Sequence, residues 1–389
     1  MSTRLLNKTS TRKTGEQSPC GSRRGRVRMK LEHAPRNKSV CDDVQPELQP
    51  IAARSRPTTS GRTSIQSPAS TKLDRKVWTI VLAGGEGERL RPLITRWLGV
   101  HRPKQYCTFV GSHSMLRHTL DRAERITGVE RTLVVVASHH EPQVWDRLAP
   151  RHEEAIIAQP RNRDTAAGVF LPLAHIGARD PEATVIILPS DHFVHPQEAF
   201  LTAIGRAVRA AQCQPDKLVL LGVRPDTAET EYGWIRPGHS VDRIEGEDVR
   251  QVAGFREKPD AQEAQYLLRT GGLWNTMVIA VRWSTIWQLG WRCFPTMMAH
   301  FEEFRPHIGT DDEMRALDTL YNALPSVNFS TKLLQQALDS LVVMELRGVL
   351  WSDWGSERRI VETLQRIGKS PLFMTAVRDR FHHEFETRP

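Results

Sequence analysis

A chain of 389 residues, 39% hydrophobic and 25% charged, has the composition of a soluble globular protein with room for one large or two moderate domains. It contains no apolar run long enough to span a bilayer. The net charge of +9 is uneven: residues 1–76 carry 17 Lys/Arg against 6 Asp/Glu, or +11, which leaves −2 for the rest and argues against nucleic acid as the partner of the body.

In chain order, residues 1–75 come first. They are rich in Ser, Thr, Arg, Pro and Gln, lack apolar periodicity, and read as a disordered basic leader. The leader has no apolar h-region, so it is no secretory signal. A transit peptide, a solvated tail and a start near Met29 all stay open. The run SRRGRVRMK would suit RNA or an anionic membrane. Val77 to Ala83 is a buried parallel strand by its unbroken apolar run, and Gly84-Gly85-Glu86-Gly87 follows as a tight loop. Such a loop lets backbone N–H groups approach an anion, and Arg89 and Lys104 add positive charge at the same mouth. The third glycine of G-x-G-x-x-G is Leu90 here, and no Gly-Lys-Ser/Thr follows, so neither a dinucleotide fingerprint nor a P-loop is present.

Strand-like and helix-like segments then alternate. Thr132 to Ala137, Ala183 to Leu188 and Leu218 to Val223 read as strands; Thr165 to Ala178 and Pro196 to Gln212 read as helices, with Pro196 in the first turn. This is an α/β pattern, a Rossmann-like, mostly parallel sheet flanked by helices with ligands at the carboxyl ends of its strands. From about Tyr232 the order changes. Strands near Ile235, Val249 to Phe255 and Leu273 to Val281 suggest an inserted lobe, followed by a helical stretch from Ser284 to Leu338. The five cysteines are scattered, without C-x-x-C, and argue against a disulfide framework or a zinc site. The fifteen histidines show no ligand spacing and read as surface or packing residues. Four of ten tryptophans fall between Trp274 and Trp291 and read as packing for the lobe and the helices. The body is taken as 76–375, with a short tail at 376–389.

Several strings occur in a telling order: GGEGERLRPL then PKQ, QPRNRDTAAGV from Gln159, LPSDH from Leu188, EYGWI from Glu231, FREKP from Phe255, LWN from Leu273 and WSDWG from Trp351. Together they resemble the sugar-phosphate nucleotidylyltransferases over about Val77 to Leu364, in the branch of mannose-1-phosphate guanylyltransferase (GDP-mannose pyrophosphorylase) type. The resemblance implies the nucleotide-diphospho-sugar transferase fold, with a sugar-binding lobe. It implies transfer of a nucleotidyl group from an NTP, expected to be GTP, to a sugar 1-phosphate, expected to be mannose 1-phosphate, in the cytoplasm. Glu88, Gln159, Asp164 and Thr276 depart from the family's usual residues and bear on base and sugar specificity. Another base or hexose, or a catalytically silent nucleotide-sugar sensor, stays open, as does a homo-oligomer. The retained reactive set counts against the silent reading.

The resemblance also assigns roles. Arg89 and Lys104 would hold the leaving pyrophosphate. Gly84, Gly85, Gly87 and Gln159 would contact the nucleotide, and Arg163 would reach base or phosphate unless it is a solvated turn residue. Gly233, Glu257 and Asn275 would contact the sugar, with Lys258 on its phosphate. Asp191 and Asp353 would hold Mg²⁺, a cation that suits a few carboxylates plus phosphates and water. The alternatives are a cap before Pro196 for Asp191 and an Asx-turn for Asp353. His192 would orient the metal carboxylate.

Overall fold

A computed structural model describes residues 76–140 and 155–374. The expected leader and tail lie outside the described residues. The run VWTIVLA forms β1 (Val77–Ala83), flanked in parallel by β2 (Thr132–Ala137) and β4 (Thr184–Pro189), with β3 (Ile156–Gln159) beyond β2. These strands are almost continuously apolar because both faces of a parallel sheet are covered. Within β1 the side chains alternate: Trp78 and Ile80 enter one core, Val77, Val81 and Ala83 the other. The first core is covered by α3 (Asp164–Arg179), α6 (Trp283–Cys293), α7 (Pro295–Phe304) and α8 (Glu313–Ala323). The second is covered by α2 (Met115–Thr127) and α4 (Gln197–Cys213). Pro196 proves to be the N-cap of α4, one position before its first turn.

The remaining strands are β6 (Leu218–Val223), β7 (Gly233–Ile244), β8 (Glu247–Glu257), β9 (Leu273–Arg282) and β10 (Leu341–Glu345). The order across the nine-stranded sheet is β3-β2-β1-β4-β9-β6-β10-β8-β7. Strand β9 runs antiparallel to both β4 and β6, and β10 is parallel to β6, so β1 to β4, β6 and β10 all point the same way. Strand β7 pairs with β9 as well as β8, which closes β9, β6, β10, β8 and β7 into a ring. The sugar-lobe strands are therefore continuous with the central sheet. Helix α5 (Ala261–Arg269) follows β8, capped by the Asp260 carboxylate.

A second, two-stranded element is too short for periodicity to reveal. Strand β5 (Phe193–His195) pairs antiparallel with β11 (Leu350–Ser352), Phe193 opposite Ser352. A third apolar cluster joins α1 (Arg91–Leu98), Phe109, Trp354 and α9 (Glu357–Gln365). No helix among the described residues is long and apolar enough to cross a membrane.

Candidate active site

The glycine loop leaves the carboxyl end of β1, where ligands of α/β sheets bind. Gly87 has φ +66°, and a side chain there would meet the backbone nitrogen of Lys104 at 2.8 Å, so the position admits only glycine. Gln105 ties PKQ to the loop: its Nε2 donates to the carbonyls of Ala83 (2.9 Å) and Gly85 (2.7 Å). Lys104, 4% exposed, is held between two acceptors, Asp191 Oδ2 at 2.8 Å and the Asp353 carbonyl at 2.5 Å. The sequence reading sent this ammonium to the phosphates. It joins the two aspartates, which uses two of its three N–H groups and leaves one for a phosphate.

The β5–β11 ribbon brings those aspartates together across the sequence. Asp191 precedes β5 and Asp353 follows β11, so the antiparallel pairing sets the two segments side by side. Their surroundings differ. The Asp191 side chain is 37% exposed, and although burial opposes it, Lys104, with help from His192 and Arg89, holds its carboxyl down at about 2. Asp353 is 7% exposed and saturated. Its Oδ2 accepts from Arg89 (2.8 Å), its Oδ1 from the Tyr232 hydroxyl (2.5 Å), the Gly355 N–H (2.9 Å) and Arg359 (3.0 Å). The Gly355 bond is the Asx-turn weighed from sequence. Burial and the Asp353 charge push the Tyr232 phenol up, so it remains a donor. Arg359 also pairs with Glu229 and lies 4.6 Å over the Tyr232 ring. His192 is partly buried, which pushes its imidazole pKa down, and its Nε2 lies 3.7 Å from Asp191 Oδ1, too far to orient that carboxylate by a hydrogen bond.

A metal ion is tested by this donor set. Asp191 fits Mg²⁺, since its carboxylate faces solvent with one oxygen outside any hydrogen bond under 3.5 Å. Asp353 fits once Arg89, half exposed, gives up Oδ2.

Beside the loop lies a cleft of about 540 Å³ lined by Gly84, Gly85, Gln159, Asn162, Asp164, Thr165 and Ser326 among others. Gln159 is buried; Tyr321 donates to its Oε1 at 3.0 Å, and its Nε2 lies against Gly84. Arg163 is not brought to this cleft. Its Nε donates to the Tyr321 carbonyl (2.8 Å) at the end of α8, where orphan carbonyls attract a guanidinium. On the other side Gly233, Glu257 and Asn275 converge: a side chain at Gly233 would meet the Glu257 carboxylate at 2.8 Å, the Phe255 ring at 3.0 Å and Asn275 Cβ at 3.4 Å. Burial raises the Glu257 carboxyl, the Lys258 charge opposes it, and the Asp164 charge adds to it. Lys258 itself is exposed.

Sequence reasoning missed Tyr232 and Arg359, which hold Asp353, and Glu229, which pairs with Arg359. Tyr232 lay inside the quoted EYGWI; Arg359 carried no signal, since only the fold brings it close. It also missed that, among the described residues, four of the five non-glycine residues with positive φ sit here: Asp164, Lys258, Met277 and Trp354, the fifth being Glu245 in the β7–β8 turn. Such strain collects at functional sites.

The family described as "Nucleotidyl transferase" matches residues 78–370. "Mannose-1-phosphate guanylyltransferase ManC" of Salmonella typhimurium is 30% identical over 287 residues, 72% of this chain and 58% of its own. "Xanthan biosynthesis protein XanB" of Xanthomonas campestris pv. campestris is 28% identical over 297 residues, 75% of this chain and 60% of its own. The chain thus spans about 60% of the length of these curated relatives. A crystal structure titled mannose-1-phosphate geranyltransferase, from Thermus thermophilus, superposes with a TM-score of 0.63 at 30% identity, covering 74% of this chain and 79% of that one.

Proposed function

The chain belongs to the nucleotidyl transferase family, and from that premise we propose that it transfers a nucleotidyl group from GTP to mannose 1-phosphate, releasing pyrophosphate and GDP-mannose. The carrying observation is the meeting of Arg89, Lys104, Asp191 and Asp353 at one mouth, between the Gln159 cleft and the Gly233–Glu257–Asn275 group. Both reactants are anions. The work of the protein is to bring them together and to neutralise the charge that develops at the α-phosphorus, so fixed cations and carboxylates matter more than a nucleophilic side chain. The nucleoside lies in the Gln159 cleft, the sugar against Glu257 and Asn275, and Lys258 takes its phosphate. The sugar-phosphate oxygen attacks in line and pyrophosphate leaves toward Arg89. Mg²⁺, held by Asp191 and by Asp353 once Arg89 moves to phosphate, would add positive charge against the α-phosphate. The choice of guanine and mannose draws on the ManC relative.

A panel of NTPs against hexose 1-phosphates, with Mg²⁺ and read by pyrophosphate release, tests this. GTP with mannose 1-phosphate is expected to be fastest. Preference for UTP or dTTP with glucose 1-phosphate overturns the substrates, and no release from any pair overturns the reaction.

A further inference from the structure

Around the glycine loop lies a set of groups that the transfer reaction leaves unused. Glu86, the third loop residue, is bracketed by two histidines from the end of β2. Its Oε1 is 2.9 Å from His139 Nε2 and its Oε2 3.2 Å from His140 Nε2. Glu86, His139 and His140 each offer a ligand atom within 4.8 Å of the others, and Glu86 joins Glu88 and His101 in a second group of the same kind. The two ring nitrogens of His101 are buried and have no hydrogen-bond partner among the described residues. His140 is 2% exposed, with Nδ1 3.3 Å from the Tyr106 hydroxyl, the outer contact that fixes the ring of a metal-bound histidine. His139 is 57% exposed and leaves the group open to an incoming ion and a water.

We propose that Glu86, His139 and His140 bind a divalent transition-metal ion of the zinc class, with His101 as the adjoining donor. Two imidazoles and a carboxylate are a zinc donor set, whereas Mg²⁺ prefers oxygen alone. Ligand atoms about 2.0–2.1 Å from a tetrahedral zinc are roughly 3.3 Å apart, so the two histidine–carboxylate separations need open by only a few tenths of an ångström. Simple hydrogen bonds from the histidines to Glu86 account for His139 and His140, but they leave the buried nitrogens of His101 unexplained. Spacing along the chain hid this group, because its donors come from three separate segments. An ion here would tie the loop between Gly85 and Gly87 to the end of β2. Binding itself does not depend on the proposed reaction.

The full chain, stripped by a chelator and kept in Mg²⁺ to occupy the oxygen site, is titrated with Zn²⁺ by calorimetry and with Co²⁺ by visible absorption. One equivalent is expected to bind, with the intense d–d bands of four-coordinate Co²⁺. His139→Ala and Glu86→Gln should each weaken that equivalent by about ten- to a hundredfold. His300→Ala, which removes an exposed histidine beside Glu303, and Asp191→Asn should leave it unchanged. Melting curves establish that the variants are folded. Unchanged affinity in both site variants, or no binding tighter than millimolar in the parent chain, overturns the proposal.

Discussion

Asp191 and Asp353 meet the same ammonium through different atoms, and neutralising them should have different consequences. Asp191→Asn takes a partly exposed carboxylate away from the buried Lys104 ammonium, so melting should fall, though by less than for Asp353, while turnover falls by orders of magnitude. Asp353→Asn removes a buried charge facing both Arg89 and Arg359, and breaking such a group costs about 3–5 kcal/mol. Turnover per folded molecule should fall in both, and the double variant should be little slower than either alone. Thermal melts beside single-turnover rates check this; an Asp353→Asn protein melting like the parent contradicts its hydrogen-bond set. Because Asp191 titrates near 2, its stabilising share is complete above the ordinary carboxylate pKa of about 4 and is lost as pH falls toward 2. Lys258 makes a separate prediction. Lys258→Ala should raise KM for the sugar 1-phosphate about ten- to a hundredfold, the worth of a charge-assisted bond of about 1.5–3 kcal/mol, and leave that for GTP alone. Equal losses for both substrates would remove Lys258 from the sugar phosphate. The positions of Gly84, Gln159, Glu257 and Asn275 were legible because short local strings carry them. The Tyr232–Asp353–Arg359 contact was not, because it joins residues 121 and 127 positions apart.

At the level of elements, the long apolar runs of β1, β2, β4 and β6 could be read from sequence because a strand covered on both faces must be apolar throughout. The three-residue strands β5 and β11 could not, although they bring Asp191 and Asp353 together. Nor could the pairing of β7 with β9, which depends on a bend and not on pattern. What anchors the ribbon is Trp354, 2% exposed, stacked on Phe193 at 4.7 Å and edge-on to Phe109 at 5.5 Å. Trp354→Ala empties that space and should cost about 3–5 kcal/mol. The Asp353 backbone should shift with it, so turnover falls even at temperatures where the variant is folded. Trp354→Phe, which keeps the stack, should recover much of both. Urea denaturation with turnover at low denaturant decides this: normal turnover in a destabilised Trp354→Ala protein would show that the ribbon does not set the aspartates.

At the scale of the molecule the charge divides at Lys76. The sequence through that residue carries +11 and the remainder −2, so the basic character belongs almost wholly to a segment outside the described residues. Net charge governs solubility, non-specific association and steering, not the fold. The family match begins at residue 78, and among the described residues both apolar cores begin at Val77 or Trp78. We therefore expect a chain beginning at Lys76 to melt at the temperature of the full chain and to turn over at the same rate. The two should part on polyanions. The full chain should bind RNA or anionic vesicles weakly at low salt and release them as salt rises, since such binding comes from counterion release. The shortened chain should not bind at any salt concentration. Retained polyanion binding would locate a basic face on the body that its near-neutral balance conceals, and a lower melting temperature would mean that the first 75 residues pack on the body.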